Sequence, residues 1–140
     1  MMPLLLRALL IALIWVVIHL GSGLIAHLMP LQLFQPGRWL FRTREWEDGG
    51  ELYDRLCRVR SWKDRIPEAG AMFKGGFSKR GLARRDRNYI QRFVAETCRA
   101  EFSHWLPLLL SLQFFLWNPV YIAVWMPLYA LLTQAPFIIV

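Results

Sequence analysis

The chain has 140 residues, room for one compact unit and no second domain. It is 56% hydrophobic and 14% aromatic yet carries a formal charge of +7, and a soluble domain this small has too little interior to hide that much apolar surface. Segregation along the chain reconciles the two: apart from Arg7, every Lys and Arg lies between Arg38 and Arg99, and every Asp and Glu between Glu45 and Glu101. The ends suit lipid and the middle suits water. Membrane topology then accounts for the positive charge, and nucleic acid is not an expected partner. Cys57 and Cys98 lie far apart and fit no zinc or CxxC spacing, so reduced thiols are expected and no metal site is.

In chain order, Leu4 to Leu28 is a run of 25 residues whose one formal charge is Arg7. It matches the ~20 apolar residues that cross a ~30 Å hydrocarbon layer. A cleaved signal peptide competes, with Arg7 as its basic region, but the apolar core is too long and holds Trp15 and His19. Residues 1–29 are therefore read as a retained transmembrane helix. His19 and His27 fall on roughly one face of it, and ionisable groups inside a membrane are costly and often functional. A helix–helix hydrogen bond is the favoured role, with a substrate contact or a pigment ligand as alternatives.

Pro30, Pro36 and Gly37 break the helix, and "FQPGRWLFR" mixes Phe34, Trp39 and Phe41 with Arg38 and Arg42, a composition suited to the headgroup zone. Residues 30–104 form a basic region expected on the cytoplasmic side, against anionic lipid. Within it a helix is expected from Glu51 to about Trp62, with Leu52, Leu56 and Val59 near one face, then turns at Pro67, Gly70 and Gly75–Gly76. Ile90, Val94, Cys98, Phe102 and Trp105 recur every three or four residues, so Asp86 to Trp105 reads as an amphipathic helix. Arg92, Glu96 and Arg99 form a ladder on its other side, read as a solvated, stabilising face.

Residues 105–140 carry no charged side chain. A single helix of that length would overshoot the bilayer by about 20 Å, so the segment must fold back. Pro107, Asn118–Pro119, Pro127 and Pro136 are candidate breaks, and Asn118–Pro119 is the strongest turn signal. The expected fold is an all-α integral membrane protein: one N-terminal transmembrane helix, a basic cytoplasmic region with amphipathic helices, and a C-terminal apolar hairpin, fully spanning or re-entrant. The hairpin returns the chain to the cytoplasmic side, and a further C-terminal segment is expected beyond Val140.

The densest set of ionisable side chains, "ETCRAEFSHW" from Glu96 to Trp105, falls where the amphipathic helix meets the headgroups. On a helix Thr97, Glu101 and His104 share an arc of about 60°. Glu101 can then orient the His104 imidazole, a group whose ordinary pKa near neutrality suits it to remove a proton from an alcohol. Cys98 activated by His104 as a nucleophile is disfavoured, because within one helix the two are separated by about 9 Å of rise and about 120°.

Taken together, "VRSWKDRIPEAG", "FKGGFSKRGL", "ETCRAEFSHW" and "NPVYIAVWMPLYALLTQAPFIIV", in that order and spacing, resemble the glycosyl-4,4'-diaponeurosporenoate acyltransferase family of bacterial carotenoid pathways. The resemblance spans about Trp46 to Val140. It implies a multi-pass protein of the bacterial cytoplasmic membrane that moves a fatty acyl group onto the sugar hydroxyl of a glycosylated carotenoid or similar glycolipid, the last step towards a staphyloxanthin-type pigment. An acyl thioester is the implied co-substrate, with no tightly bound cofactor. On this reading His104 deprotonates the sugar hydroxyl and Glu101 orients the ring. Arg99 or Lys63 stabilises the oxyanion or holds the phosphates of the donor's carrier. Glu96 and Asp64 position these cations, and Trp62 and Trp105 are interface anchors or sugar-stacking platforms. The rival reading is a non-catalytic integral subunit of a larger membrane assembly, such as a pigment–protein complex, whose partners are lipids and neighbouring subunits. A third is a sensor of anionic lipid that uses the basic region.

Overall fold

In the computed structural model, which describes residues 3–66 and 84–139, every regular element is helical. Helix α1 runs unbroken from Leu4 to Leu28. Its buried residues Trp15, Ile18, Ser22 and Ala26 recur every three or four positions and form one stripe. Its other faces, with Leu5, Leu9, Leu13, Val17 and Leu20, are exposed. Met29 turns extended ahead of Pro30, whose ring disfavours a helical residue before it. A 3₁₀ turn at Leu31–Leu33 then drops Phe34 into a fully buried position.

The cap that follows is a 3₁₀ segment, Glu45–Gly50, leading into α2 (Glu51–Cys57), α3 (Val59–Trp62) and a further 3₁₀ turn at Lys63–Arg65. The single helix expected here is split at Arg58, which takes a left-handed conformation at φ 51°. Local polar bonds stabilise the break. Asp54 Oδ1 accepts from the Arg60 amide at 2.8 Å, capping the second piece, and Ser61 Oγ donates to the Arg58 carbonyl. The shared face expected for Leu56 and Val59 is therefore lost: Val59 is buried, while Leu56 is 71% exposed. The turns at Pro67, Gly70 and Gly75–Gly76, and the stretch "FKGGFSKRGL", lie outside the described residues.

Helix α4 runs from Arg87 to Leu110, with the Asp86 carboxylate accepting from the Tyr89 amide at its start. It passes straight through Trp105 and Pro107, so the amphipathic helix and the first limb of the hairpin are one rod, and the boundary at residue 105 falls inside it. Pro107 removes one N–H without breaking the helix. Past Leu110 the rod tightens into a 3₁₀ segment, Ser111–Leu116, and the chain reverses at Asn118–Pro119, the turn anticipated from sequence. Asn118 Nδ2 and its backbone amide both donate to the Phe114 carbonyl and close that turn. Helices α5 (Val120–Ala123) and α6 (Trp125–Ile138) lead back as one apolar stretch.

Central α4 packs against α1 on one side and α6 on the other. Three contacts fix the register. Arg99 of α4 reaches the Met29 carbonyl beyond the end of α1, Phe114 stacks on Trp15, and His104 meets Gln134 of α6. Both neighbours therefore run antiparallel to α4, and the C-terminal ends of α1 and α6 lie at the same end of the bundle. Trp15, Ile18, Phe114 and Ala130 form the core, with Trp15 also edge-on to Tyr129 at 4.8 Å. Small residues at Ser22, Ala26, Ala123 and Ala130 let the backbones approach closely. Two stretches, Leu4–Leu28 and Val120–Ile138, are long and apolar enough to cross a membrane.

Candidate functional site

Because α4 turns its Glu96 side inward, Glu96 and Arg99 of the ladder are largely buried, whereas Arg92 is exposed as expected. Glu96 is only 9% exposed, and Arg99 donates to both its oxygens, at 3.1 and 3.3 Å. Arg99 also donates to the Met29 carbonyl at 3.2 Å and lies 5.5 Å from the Phe34 ring centre. Arg92 stays at the surface, 4.0 Å from Glu96. The Glu96–Arg99 pair thus ties the middle of α4 to the elbow that follows α1. Arg99 lies about 140° around the helix from His104, so the two face different neighbours.

His104 faces α6. Its half-buried ring stacks on Phe137, with centroids 4.6 Å apart and planes 13° from parallel. Its Nδ1 lies 2.8 Å from Gln134 Oε1. The surrounding bonds fix the tautomer. Thr133 Oγ1 donates to the Tyr129 carbonyl and accepts from Gln134 Nε2, which turns the Gln134 oxygen towards the imidazole. An amide oxygen only accepts, so Nδ1 donates to it, and in the neutral form of such a ring the lone pair lies on Nε2. This is the arrangement of a base with its orienting group. Gln134 is the partner of His104 that the sequence reading missed. The signal available was an amide side chain inside an uncharged, mostly apolar segment, and the structure buries it.

Glu101, expected to hold His104, accepts instead from Trp105 Nε1 at 3.1 Å. No hydrogen bond or ion pair joins Glu101 to His104 among the described residues. Burial pushes the Glu101 carboxyl above its usual range; the Trp105 bond opposes the shift and the nearby Glu47 carboxylate adds to it. A raised folded-state pKa means that Glu101 stabilises the fold fully below pH 4.5, its ordinary value, and that this contribution is lost as pH rises through the folded value. Cys98, three residues earlier on α4, is buried. Burial and the Glu101 charge push its thiol up, which leaves it a poor nucleophile.

The cap carries the remaining expected residues. Trp62 Nε1 donates to the Cys57 carbonyl at 2.8 Å, so the indole braces the α2–α3 kink, and Lys63 is exposed in the next turn. Tyr53 donates to Glu47 Oε1 at 2.9 Å, and burial, that bond and the Glu47 and Glu101 charges push its phenol up to about 12. Glu47→Gln is expected to bring Tyr53 back towards 10, its ordinary value, in an ultraviolet difference titration against Tyr53→Phe. An unshifted titration would mean that the cap does not close over Tyr53. In α1, His19 stacks on Trp15 at 5.3 Å and meets Tyr129 edge-on at 6.4 Å, a ring contact across the helix pair.

The fold and site define an all-helical protein in which a histidine and an amide from two different helices meet at one end of an apolar bundle. The sequence comparisons narrow that class. The family model described as glycosyl-4,4'-diaponeurosporenoate acyltransferase matches residues 37–140, and the chain belongs to that family. A Staphylococcus haemolyticus protein of the same name is 30% identical over 125 residues, covering 89% of this chain and 72% of the relative. The Staphylococcus aureus protein from strain MRSA252, also so named, is 25% identical over 126 residues, covering 90% and 76%. No solved structure matches the chain.

Proposed function

We propose that this protein is an integral membrane acyltransferase that transfers a fatty acyl group from a thioester donor to a sugar hydroxyl of a glycosylated carotenoid or similar glycolipid. One observation carries the reading: the 2.8 Å contact of His104 Nδ1 with Gln134, an amide on the facing helix that can orient the imidazole as a general base. A carotenoid glycoside keeps its polyene in hydrocarbon and its sugar among the headgroups, so the reacting groups belong at that depth. The exposed apolar faces of α1 and α6 find their solvent in the acyl chains, and the basic region lies against the anionic cytoplasmic leaflet. The names of the relatives support the reaction class.

In this mechanism His104 Nε2 takes the proton of the sugar hydroxyl as its oxygen attacks the thioester carbonyl. The C–S bond then breaks, an ester bond remains, and the imidazolium returns the proton to the departing thiolate. Gln134 keeps the ring in the productive tautomer. Arg99, committed to Glu96 and Met29, ties α4 to the elbow after α1 rather than reaching the reacting groups, and Lys63 on the cap meets the anionic carrier of the donor. Trp105, fixed by Glu101, anchors α4 at the lipid boundary. Mass spectrometry of lipids from cells with and without the chain tests the reading: acylated glycosides should appear only with it, and identical extracts would refute it.

The orienting role is tested separately. Gln134→Leu should lower kcat about 100-fold with KM little changed, since the ring loses its alignment, while Glu101→Gln should keep most activity. If Glu101→Gln were the damaging change and Gln134→Leu the silent one, the carboxylate would be the orienter after all.

A further inference from the structure

Beside the elbow after α1, on a different side of α4 from His104, Leu33, Phe34, Trp39, Phe41 and Phe102 line an open cleft of about 500 Å³ with Arg38 at its edge. That volume lies within the ~300–1,000 Å³ typical of small-molecule sites. The walls are almost entirely apolar and aromatic, apart from Arg38, and Arg42 directly follows Phe41 of the wall in sequence. Arg38 and Arg42 are exposed, and neither has an ion-pair partner among the described residues. Arg44 lies 5.6 Å from the Trp39 ring centre and reaches the Trp39 carbonyl, which steadies an indole that is 77% exposed. The first acidic residue after α1 is Glu45, and the Glu47 carboxylate accepts from the Arg44 amide at 2.7 Å.

We infer that this cleft binds one anionic glycerophospholipid, its acyl chain against Phe34, Phe41 and Phe102 and its phosphate on Arg38 and Arg42. The inference rests on the membrane placement proposed above and concerns a site separate from the acyl-transfer centre. Charge complementarity selects the occupant. A zwitterionic lipid offers the same chain but brings a cation to a rim that already has two, and a free phosphate leaves the aromatic walls uncovered. A juxtamembrane arginine contributes on the order of fivefold to the binding of an anionic lipid.

The test is native mass spectrometry of the full chain, released from detergent after incubation with dioleoyl phosphatidylglycerol, dioleoyl phosphatidylcholine or inorganic phosphate. The expected result is one phosphatidylglycerol per chain, weak retention of the other two, and a loss of roughly tenfold or more in R38A/R42A. R55A/R60A, which removes as much charge from the cap, should retain the lipid. Equal retention of the zwitterionic lipid, equal loss in both double variants, retention of phosphate alone, or no loss in R38A/R42A would each overturn the site. Alkaline extraction of the same membranes separates the two claims: chain lost from the membrane removes the placement itself, whereas chain retained without lipid selectivity removes only this cleft.

Discussion

Glu96→Ala is expected to lower the stability of the detergent-solubilised chain by about 3–5 kcal/mol, because it leaves the largely buried Arg99 guanidinium without its counter-charge. The loss should show as an early thermal transition. Replacing both partners by apolar residues of similar size, as in E96L/R99M, should recover most of it, since no uncompensated charge then remains. Arg92→Ala removes an exposed side chain 4.0 Å from Glu96 and should change stability by no more than about 0.5 kcal/mol. If Glu96→Ala proved as mild as Arg92→Ala, the pair would be solvated, and the elbow would not depend on it.

The second large effect falls on activity. His104→Ala should reduce acyl transfer by about 10²–10⁴-fold, the usual contribution of a general base, at unchanged membrane abundance. His104→Gln should fail equally, because an amide can replace the hydrogen bond to Gln134 but has no basic lone pair. Turnover measured on washed membranes, normalised to immunodetected chain, distinguishes this from a folding defect. Activity retained in both variants would move the proton transfer elsewhere.

The long elements were legible because each carries its own signal. Leu4 to Leu28 is one apolar run, Asp86 supplies an N-cap ahead of a helical period, and Asn118–Pro119 cannot continue a helix. The break at Arg58 was not legible, since it depends on Asp54 and Ser61 offering the backbone alternatives that no hydrophobic period reveals. The inward face of α4 was misjudged for a different reason. A helical period marks a face but not how deeply each position on it is covered: Cys98 is buried as its period implies, whereas Ile90 and Trp105 stay exposed and the polar Glu96–Arg99 pair turns inward.

The site was half legible for a related reason. A histidine at the edge of the apolar tail was visible in "ETCRAEFSHW", and one-turn spacing nominated Glu101 as its partner. Such spacing reports only what shares a helix face. The partner found, Gln134, lies 30 positions on, and the hairpin reversal at Asn118–Pro119 brings it level with His104. Only the packing of α4 against α6 discloses that pairing.

The claim that His104 and Gln134 form the acyl-transfer centre is tested most directly with purified chain, a glycosylated polyene and a fatty acyl thioester, by following the acceptor's mass over time. The account predicts a mass gain of one acyl group, ester-linked to the sugar and dependent on the His104 imidazole. An unchanged acceptor, from a chain that instead purifies in fixed stoichiometry with another membrane polypeptide, would contradict it and favour a subunit role.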